Sequence, residues 1–174
     1  MTAANARITV SICTYDRYDV LPKAIESVAG QSLSRDRYRI LVVDNSPDRR
    51  KAEAFGHRFE TLPNLSYVTE ATPGLSNARN LSARICDTPF VAFMDDDAIA
   101  APDWLAEVLT AFEQFGASAM VVGGRVDPLW ETPRPPWLHD ALLGNVSVVD
   151  WGGETRAAAA HEWLAGTNIS FRTE

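Results

Sequence analysis

Short apolar runs alternate with amphipathic segments five times along the chain, and this alternation constrains the fold more than any other feature. The runs are rich in β-branched residues and occupy residues 8–13, 38–43, 65–69, 90–94 and 119–122. After the first run, apolar residues recur at the spacing of one helix face, at Leu21, Ala24, Ile25 and Val28. Repeated alternation of strand and helix predicts an α/β fold, with a parallel sheet that carries helices on both faces.

The loops that follow four of these elements are polar, and we expect them to meet at one edge of the sheet. Right-handed crossovers place the carboxyl ends of parallel strands at the same edge, where open α/β sheets bind their ligands. The four polar loops are residues 14–17, 44–46, 74–76 and 95–97. They predict a nucleotide-type pocket without naming its ligand.

Three consecutive carboxylates, Asp95, Asp96 and Asp97, come directly after the apolar run at 90–94. Neighbouring carboxylates resist ionisation unless a cation or solvent relieves their repulsion. A divalent metal held by one or two of them keeps coordination positions free for phosphate oxygens. A metal–diphosphate site is therefore one interpretation. The other is a solvated acidic turn that leads into the next helix through Pro102.

Length and charge exclude several classes of protein. The chain has 174 residues, enough for one domain with a core, and a formal net charge of −7. A nucleic-acid-binding face is not expected, because the only basic cluster is at residues 49–51. No apolar stretch approaches the ~20 residues that span a bilayer, and Cys13 and Cys86 fit buried thiols in a reducing compartment. We predict a cytoplasmic protein and leave peripheral association with the inner face of a membrane open.

The regular pattern ends at Arg125, and an irregular, Trp/Pro-rich C-terminal flap is predicted from residue 126. Residues 127–140 contain four prolines and two tryptophans, a density that forbids long helices and central strands. A second apolar stretch covers residues 163–171. We interpret most tryptophans of this region as packed core. The alternative is a substrate-facing lid whose tryptophans stack on sugar rings.

Five segments in chain order resemble the family 2 glycosyltransferases of the GT-A fold. They read ITVSICTYDR from residue 8, LVVDNS from 41, GLSNARN from 74, FMDDD from 93 and GTNISFR from 166. The resemblance covers nearly the whole chain and implies an open, twisted, mostly parallel, Rossmann-like sheet flanked by helices. It also implies an enzyme that transfers a sugar, with inversion, from a nucleoside-diphosphate donor of the UDP, TDP or GDP type. The cofactor would be Mn²⁺ or Mg²⁺ on the diphosphate, and the acceptor hydroxyl is not identified.

The resemblance further implies roles for individual residues. Asp97 matches the carboxylate in direct metal contact, with Asp95 as a second candidate nearer the ribose or sugar. Asp44 matches the carboxylate that accepts the ring N–H of the nucleobase, although the residues alone favour an Asx-turn there. Asn168 lies on the acceptor side. The full set implied for nucleotide-sugar binding is Thr14, Tyr15, Asp16, Arg17, Asp44, Gly74, Arg79, Asp95 and Asp96.

The same resemblance divides the chain into a donor-binding part, residues 1–125, and the flap with the start of the acceptor side, residues 126–174. In the family, the general base normally follows a segment like residues 166–172, and this sequence stops at Glu174. No spacing recommends His161, Glu162 or Glu174 as that base.

We therefore expect the donor-binding part of a longer enzyme, with a noncatalytic nucleotide-sugar-binding module as the alternative. A nucleotidyltransferase fits less well, because no glycine-rich loop with a nearby lysine follows the first run. A phosphoacceptor receiver domain also fits poorly, because the acidic cluster follows the fourth run and the Trp/Pro region has no role there.

Overall fold

One six-stranded sheet organises the computed structural model, which describes residues 5–173. The strands are β1 (Ile8–Thr14), β2 (Tyr38–Asp44), β3 (Leu65–Thr69), β4 (Phe90–Asp95), β5 (Val121–Gly123) and β6 (Ile169–Arg172). The α-helices of the described chain are α1 (Leu21–Ala29), α2 (Arg49–Gly56), α3 (Leu75–Ile85) and α4 (Trp104–Phe115). The predicted alternation of strands and helices is confirmed through β5.

The strand order β3-β2-β1-β4-β6-β5 places β1 at the centre, with β2 and β4 as parallel neighbours. β3 extends the parallel part beyond β2. The register aligns the strand ends, since Thr14 pairs with Asp44 of β2 and Cys13 pairs with Asp95 of β4. The loops that follow these three strands therefore lie side by side.

The far edge of the sheet differs from simple alternation. β6 lies between β4 and β5 and runs antiparallel to both, so that Ile169 pairs with Phe93 on one side and with Gly123 on the other. Alternation alone predicts a sheet that is parallel throughout, and this prediction is wrong at this edge. The mostly parallel sheet implied by the resemblance is confirmed. β6 belongs to the second apolar stretch, and periodicity does not reveal where a returning strand pairs.

The two faces of the sheet are covered by different helices, because alternate residues of each strand point to opposite faces. α1 and α4 pack on the face that holds the main core, where Phe112 of α4 stacks on Phe90 of β4 with ring centroids 4.1 Å apart. α3 packs on the other face through Ala78, against Leu41 and Val43 of β2. Both faces of the central strands are therefore buried, which holds their carboxyl ends in fixed positions.

Element boundaries differ slightly from the sequence-based ones. α2 begins after Asp48, whose side chain accepts a hydrogen bond from the Lys51 amide at 3.1 Å, and the helix is shorter than the predicted 48–60. Cys13 and Cys86 are free, partly buried thiols. Across residues 5–173, every helix is too short or too polar to cross a membrane.

Within the flap predicted from residue 126, residues 126–165 have a mostly irregular backbone. Its regular features within the described chain are one isolated β-bridge, between Val126 and Val149, and one 3₁₀ turn at Asp140–Val146. The interpretation of most tryptophans as packed core is wrong, because a segment of this kind supplies no second layer to cover them. The exposed ones are Trp130 (44%), Trp137 (69%), Trp151 (38%) and Trp163 (42%).

Candidate functional site

Asn45 joins the loops at the carboxyl edge of the sheet. Its amide N–H donates to the Thr14 carbonyl at 2.9 Å, which ties the end of β2 to the end of β1. Its side-chain Nδ2 donates to the carbonyls of Glu70 (3.0 Å) and Thr72 (2.6 Å), and its Oδ1 accepts from the Gly74 amide at 2.6 Å. The predicted convergence of these loops is thus present. Sequence reasoning placed Asn45 in the loop without giving it this role.

Gly74 supplies the sharp turn that was predicted before α3. Its φ of +124° lies in a region that side-chain-bearing residues rarely adopt. The turn directs the Gly74 amide toward Asn45 and starts α3, which carries Arg79 one turn later.

The three carboxylates of the acidic triplet point in alternate directions. The side chains of Asp95 and Asp97 are 43% and 50% exposed, whereas that of Asp96 is only 5% exposed. Asp96 turns inward and accepts a hydrogen bond from the Thr14 hydroxyl at 2.6 Å. Burial raises the pKa of Asp96, and the Thr14 hydroxyl and the Arg17 guanidinium partly offset this. Two carboxylates are therefore half-exposed at the end of β4, and the third ties the triplet to β1.

Two arginines face the outer carboxylates of the triplet. Arg17 Nη2 donates to Asp97 Oδ2 at 2.8 Å, and Arg17 Nη1 lies 3.0 Å from Asp96 Oδ1. The hydrogen bond to Asp97 raises the pKa of Arg17. On the other side, Arg79 Nη2 donates to Asp95 Oδ1 at 3.1 Å and to the Gly166 carbonyl at 3.0 Å. Both arginines named from the sequence thus lie next to the triplet.

Asp44 is fully buried, and the protein supplies donors to both of its carboxylate oxygens. Oδ2 accepts from the hydroxyls of Tyr18, at 2.9 Å, and Tyr67, while Oδ1 accepts from the amide and hydroxyl of Ser46. Burial, followed by the contact with Asp44, raises the pKa of Tyr67, and burial raises that of Tyr18 to about 12. A nucleobase N–H would have to join or displace one of these donors, and the predicted role of Asp44 stays a prediction.

Tyr18 and Tyr67 were missed by sequence reasoning, and no spacing singles them out. Tyr67 reaches Asp44 from β3, whose pairing with β2 places Tyr67 beside Val42, and Tyr18 reaches it from the loop between β1 and α1. Thr167 was also missed: its hydroxyl accepts a hydrogen bond from the Asp95 amide at 3.3 Å.

Tyr15 and Asp16 form the tip of the first loop. Tyr15 is 51% exposed and points away from the core. Asp16 has a φ of +54°, its amide donates to the Ser46 hydroxyl at 2.8 Å, and its carboxylate pairs with Lys51 of α2 at 2.5 Å. Asp16 therefore anchors the loop, and Tyr15 remains available to a ligand.

A cleft of about 790 Å³ opens between α4, β5 and the flap. Asn168 lies in its wall, where Oδ1 accepts from Trp104 Nε1 at 2.9 Å and Nδ2 donates to the Arg125 carbonyl at 3.0 Å. The segment that carries Asn168 also contacts Asp95 of the triplet through the Thr167 hydroxyl, and it contacts Arg79 through the Gly166 carbonyl. The short segment 166–168 therefore connects the wall of the cleft with the triplet.

Of the three titratable groups considered for the base, Glu174 lies outside the described residues, and Glu162 and His161 contact other parts of the flap. Glu162 accepts hydrogen bonds from Arg156 Nη1 at 2.8 Å and from the Ala159 amide at 2.7 Å. These contacts, with the Arg156 bonds foremost, lower the pKa of Glu162 to about 2, which makes it a weak proton acceptor. His161 lies edge-on to Trp151 at 6.1 Å.

The donor set of the triplet fits a divalent cation that is shared with a ligand. Among residues 5–173, no group of three or more His, Cys, Asp or Glu side chains is arranged to hold a metal by itself. Mg²⁺ is typically held by one or two carboxylates together with waters and substrate phosphates. Asp95 and Asp97 provide two half-exposed carboxylates of this kind.

Comparison with known proteins decides the family. A family model described as Glycosyl transferase family 2 matches residues 9–162. The chain belongs to glycosyl transferase family 2. Within this family it is similar to the glucosyl-dolichyl phosphate glucuronosyltransferase of Haloferax volcanii, with 28% identity over 173 residues, 97% of this chain and 53% of that protein. The chain thus spans about half the length of that relative.

Two solved structures of glycosyltransferases share the fold of this family 2 chain. S. aureus TarS 1-349 in complex with UDP superposes with a TM-score of 0.71 at 17% identity, covering 96% of this chain and 47% of that one. The mannosyltransferase PcManGT from Pyrobaculum calidifontis, in complex with GDP-Man and Mn²⁺, gives 0.64 at 21% identity, covering 98% and 46%. The predicted GT-A type of sheet is confirmed.

Proposed function

We propose that this chain binds a nucleoside-diphosphate sugar and provides the donor site of an inverting glycosyltransferase. One observation carries the proposal: the strand-end loops present two half-exposed carboxylates, Asp95 and Asp97, with Arg17 and Arg79 directly beside them. Alternating negative and positive groups at one edge of the sheet match a ligand that combines a diphosphate with a divalent cation. The UDP bound in the TarS structure and the GDP-Man bound in the PcManGT structure support the same class of ligand.

The nucleoside is assigned to the loops on the β2 side. The exposed Tyr15 ring and Thr14 border it, and Asp16 holds their loop in place. Asp44 is proposed to recognise the ring N–H of uracil, thymine or guanine. It would do so together with the tyrosine and serine residues that are hydrogen-bonded to it. Gly74 brings the backbone close to the ligand, and Arg79 points from α3 toward the phosphates.

The divalent ion, Mn²⁺ or Mg²⁺, is assigned to Asp97, with Asp95 as a second ligand. When bound, it acts as a Lewis acid that stabilises the charge on the departing diphosphate. Asp96 keeps the triplet in register with β1 through Thr14. The arginines supply guanidinium donors, which suit phosphate oxygens.

We further propose that residues 1–125 form the donor-binding part, while residues 126–174 hold the flap and the start of the acceptor side. The 790 Å³ cleft next to Asn168 is the proposed acceptor entrance, because it borders the segment that touches the triplet. A noncatalytic nucleotide-sugar-binding module is the second candidate. The engagement of Glu162 with Arg156 favours it, since this carboxylate does not serve as the base.

Calorimetric titration with UDP, TDP, GDP, ADP and CDP, each with Mn²⁺ and again with EDTA, tests the proposal. We expect Mn²⁺-dependent binding of a nucleotide whose base carries a ring N–H, and weaker binding of ADP and CDP. Asp97→Asn should weaken Mn²⁺-dependent binding by at least about tenfold, since even outer-sphere changes at metal sites have effects of that size. Absence of binding to every nucleotide in both conditions contradicts the proposal.

The matched control is Asp87→Asn, which removes an exposed carboxylate paired with Arg39 at 2.7 Å, ahead of β4 and away from the triplet. Unchanged nucleotide binding is expected for this variant. Release of free nucleotide from a bound sugar donor then separates an enzyme from a module that only binds.

A further inference from the structure

The guanidinium of Arg17 lies against Asp97, the carboxylate proposed to hold the metal ion. Its two terminal nitrogens contact two successive carboxylates, Nη2 with Asp97 at 2.8 Å and Nη1 with Asp96 at 3.0 Å. A guanidinium in this position balances the charge of the triplet. The Asp97 oxygen that it binds cannot at the same time offer its lone pairs fully to a metal ion.

The two arginines of the site are held differently. Arg79 is 29% exposed, donates to the Gly166 carbonyl as well as to Asp95, and lies over the ring of Phe93 at 5.6 Å. Arg17 is 48% exposed, and the contacts of its guanidinium in the described chain are those with the triplet. Arg79 therefore has protein contacts that persist without its carboxylate, whereas Arg17 depends on the triplet.

The backbone of Arg17 is tied to the start of α1, whereas its guanidinium is held by Asp96 and Asp97. The Arg17 carbonyl accepts from the amides of Val20 at 3.3 Å and Leu21 at 3.2 Å, where α1 begins. A long side chain on a fixed backbone reaches alternative partners without rearrangement of the loop.

We propose that the Arg17 guanidinium takes the place of the metal ion at Asp97 until the metal and the donor bind. It then moves from Asp97 to the diphosphate, and this exchange couples the two binding events. The inference rests on the proposed function. A divalent ion at Asp97 repels the guanidinium, and the incoming phosphate oxygens offer it new bidentate partners. The metal alone has to compete with Arg17 and binds weakly, whereas metal and diphosphate together bind well.

Coupling of this kind is reciprocal: the diphosphate strengthens metal binding by the same factor as the metal strengthens diphosphate binding. Arg17→Gln removes the competing charge. It is expected to bind Mn²⁺ alone about twofold to fivefold more tightly, the size of a half-exposed ion pair. It is also expected to bind the diphosphate about tenfold more weakly in the presence of Mn²⁺, because charge-assisted hydrogen bonds are lost. The coupling factor therefore falls.

Titration of Mn²⁺, followed by the electron paramagnetic resonance of the free ion, tests this without any assay of turnover. The wild type, Arg17→Gln and Arg17→Lys are titrated with MnCl₂ alone, with MnCl₂ plus UDP and with MnCl₂ plus GDP. Arg17→Lys keeps the positive charge but not the forked, bidentate geometry of the guanidinium. Its Mn²⁺ affinity should therefore lie between those of the wild type and Arg17→Gln. Arg39→Gln is the control, since it breaks a 2.7 Å pair with Asp87 far from the triplet.

Equal affinity of Arg17→Gln and Arg39→Gln for Mn²⁺ alone overturns the inference while leaving the donor site intact. Equal coupling factors in the wild type and in both Arg17 variants also overturn it. A wild type that binds neither Mn²⁺ nor either diphosphate overturns the proposed function, and the inference falls with it.

Discussion

The strand-end rim (residues 14–17, 44–46, 74–76 and 95–97) and the flap both contain irregular backbone, yet they are held in different ways. In the rim, the nearly buried residues Asn45 and Asp96, 3% and 4% exposed as whole residues, join neighbouring loops through their side chains. The flap is held in part by exposed ion pairs, such as that of Arg134 with Asp140, whose side chain is 89% exposed. Buried hydrogen bonds order a loop more firmly than exposed ion pairs do. The loops of the rim are therefore tied to one another more firmly than the exposed parts of the flap.

The largest expected effect comes from removing the packing beneath the rim. Phe112→Ala deletes a ring that is 1% exposed and stacks on Phe90 of the strand that leads to the triplet. We expect the free energy of unfolding to fall by about 3–5 kcal/mol. Trp137→Ala in the flap, where the ring is 69% exposed, should change it by less than about 0.5 kcal/mol. Denaturant titration of both variants measures the contrast, and equal losses would contradict it.

A smaller effect is expected within the rim itself. Asn45→Ala removes three side-chain hydrogen bonds, to Glu70, Thr72 and Gly74, and should lower the free energy of unfolding by about 2–3 kcal/mol. Asn64→Ala removes one long bond, of 3.3 Å to the Tyr38 carbonyl, and is the matched control. Chemical denaturation compares the two variants. If Asn64→Ala loses as much free energy of unfolding as Asn45→Ala, the hydrogen bonds of Asn45 contribute no more to stability than a single long hydrogen bond does.

In acid, the contributions of Asp96 in the rim and of Glu162 in the flap to stability should change in opposite directions. Burial raises the pKa of Asp96 above the 3.8 of a free side chain, so its ionised form is a cost to the folded state at neutral pH. As pH falls through the raised pKa toward 3.8, this cost disappears and the wild type gains stability relative to Asp96→Asn. Thermal unfolding of both proteins near neutral pH and in mild acid measures the difference. A difference that stays constant would contradict the prediction.

The smallest effect should occur in the flap, with the opposite sign. The pKa of Glu162 is lowered from 4.5 to about 2, so its contribution is present above 4.5 and is lost as pH falls from there toward 2. The stability advantage of the wild type over Glu162→Gln should therefore shrink in acid. Glu131→Gln removes the same charge elsewhere in the flap and serves as the control. Limited proteolysis of the flap at several pH values reports the local loosening, and an advantage that grows in acid would rule the pairing out.

Much of the rim was predictable because its residues are close in sequence to strand ends. Asp95 and Thr14 each lie at the end of a β-branched or apolar run, and parallel strands bring such ends together. The directions of the three carboxylates were not predictable in this way. The inward turn of Asp96 depends on the Thr14 hydroxyl and the Arg17 guanidinium, which lie about eighty residues away along the chain.

The sequence by itself determined the alternating α/β framework and the edge at which polar loops collect, because apolar periodicity and chain handedness are local rules. Tertiary structure alone decided three features: the insertion of β6 between β4 and β5, the group of donors around Asp44, and the exposure of the flap tryptophans. Each depends on which segments meet across long stretches of chain. Strand pairing and burial at that range follow from the packing of the whole molecule. The periodicity of the sequence carries no information about that packing.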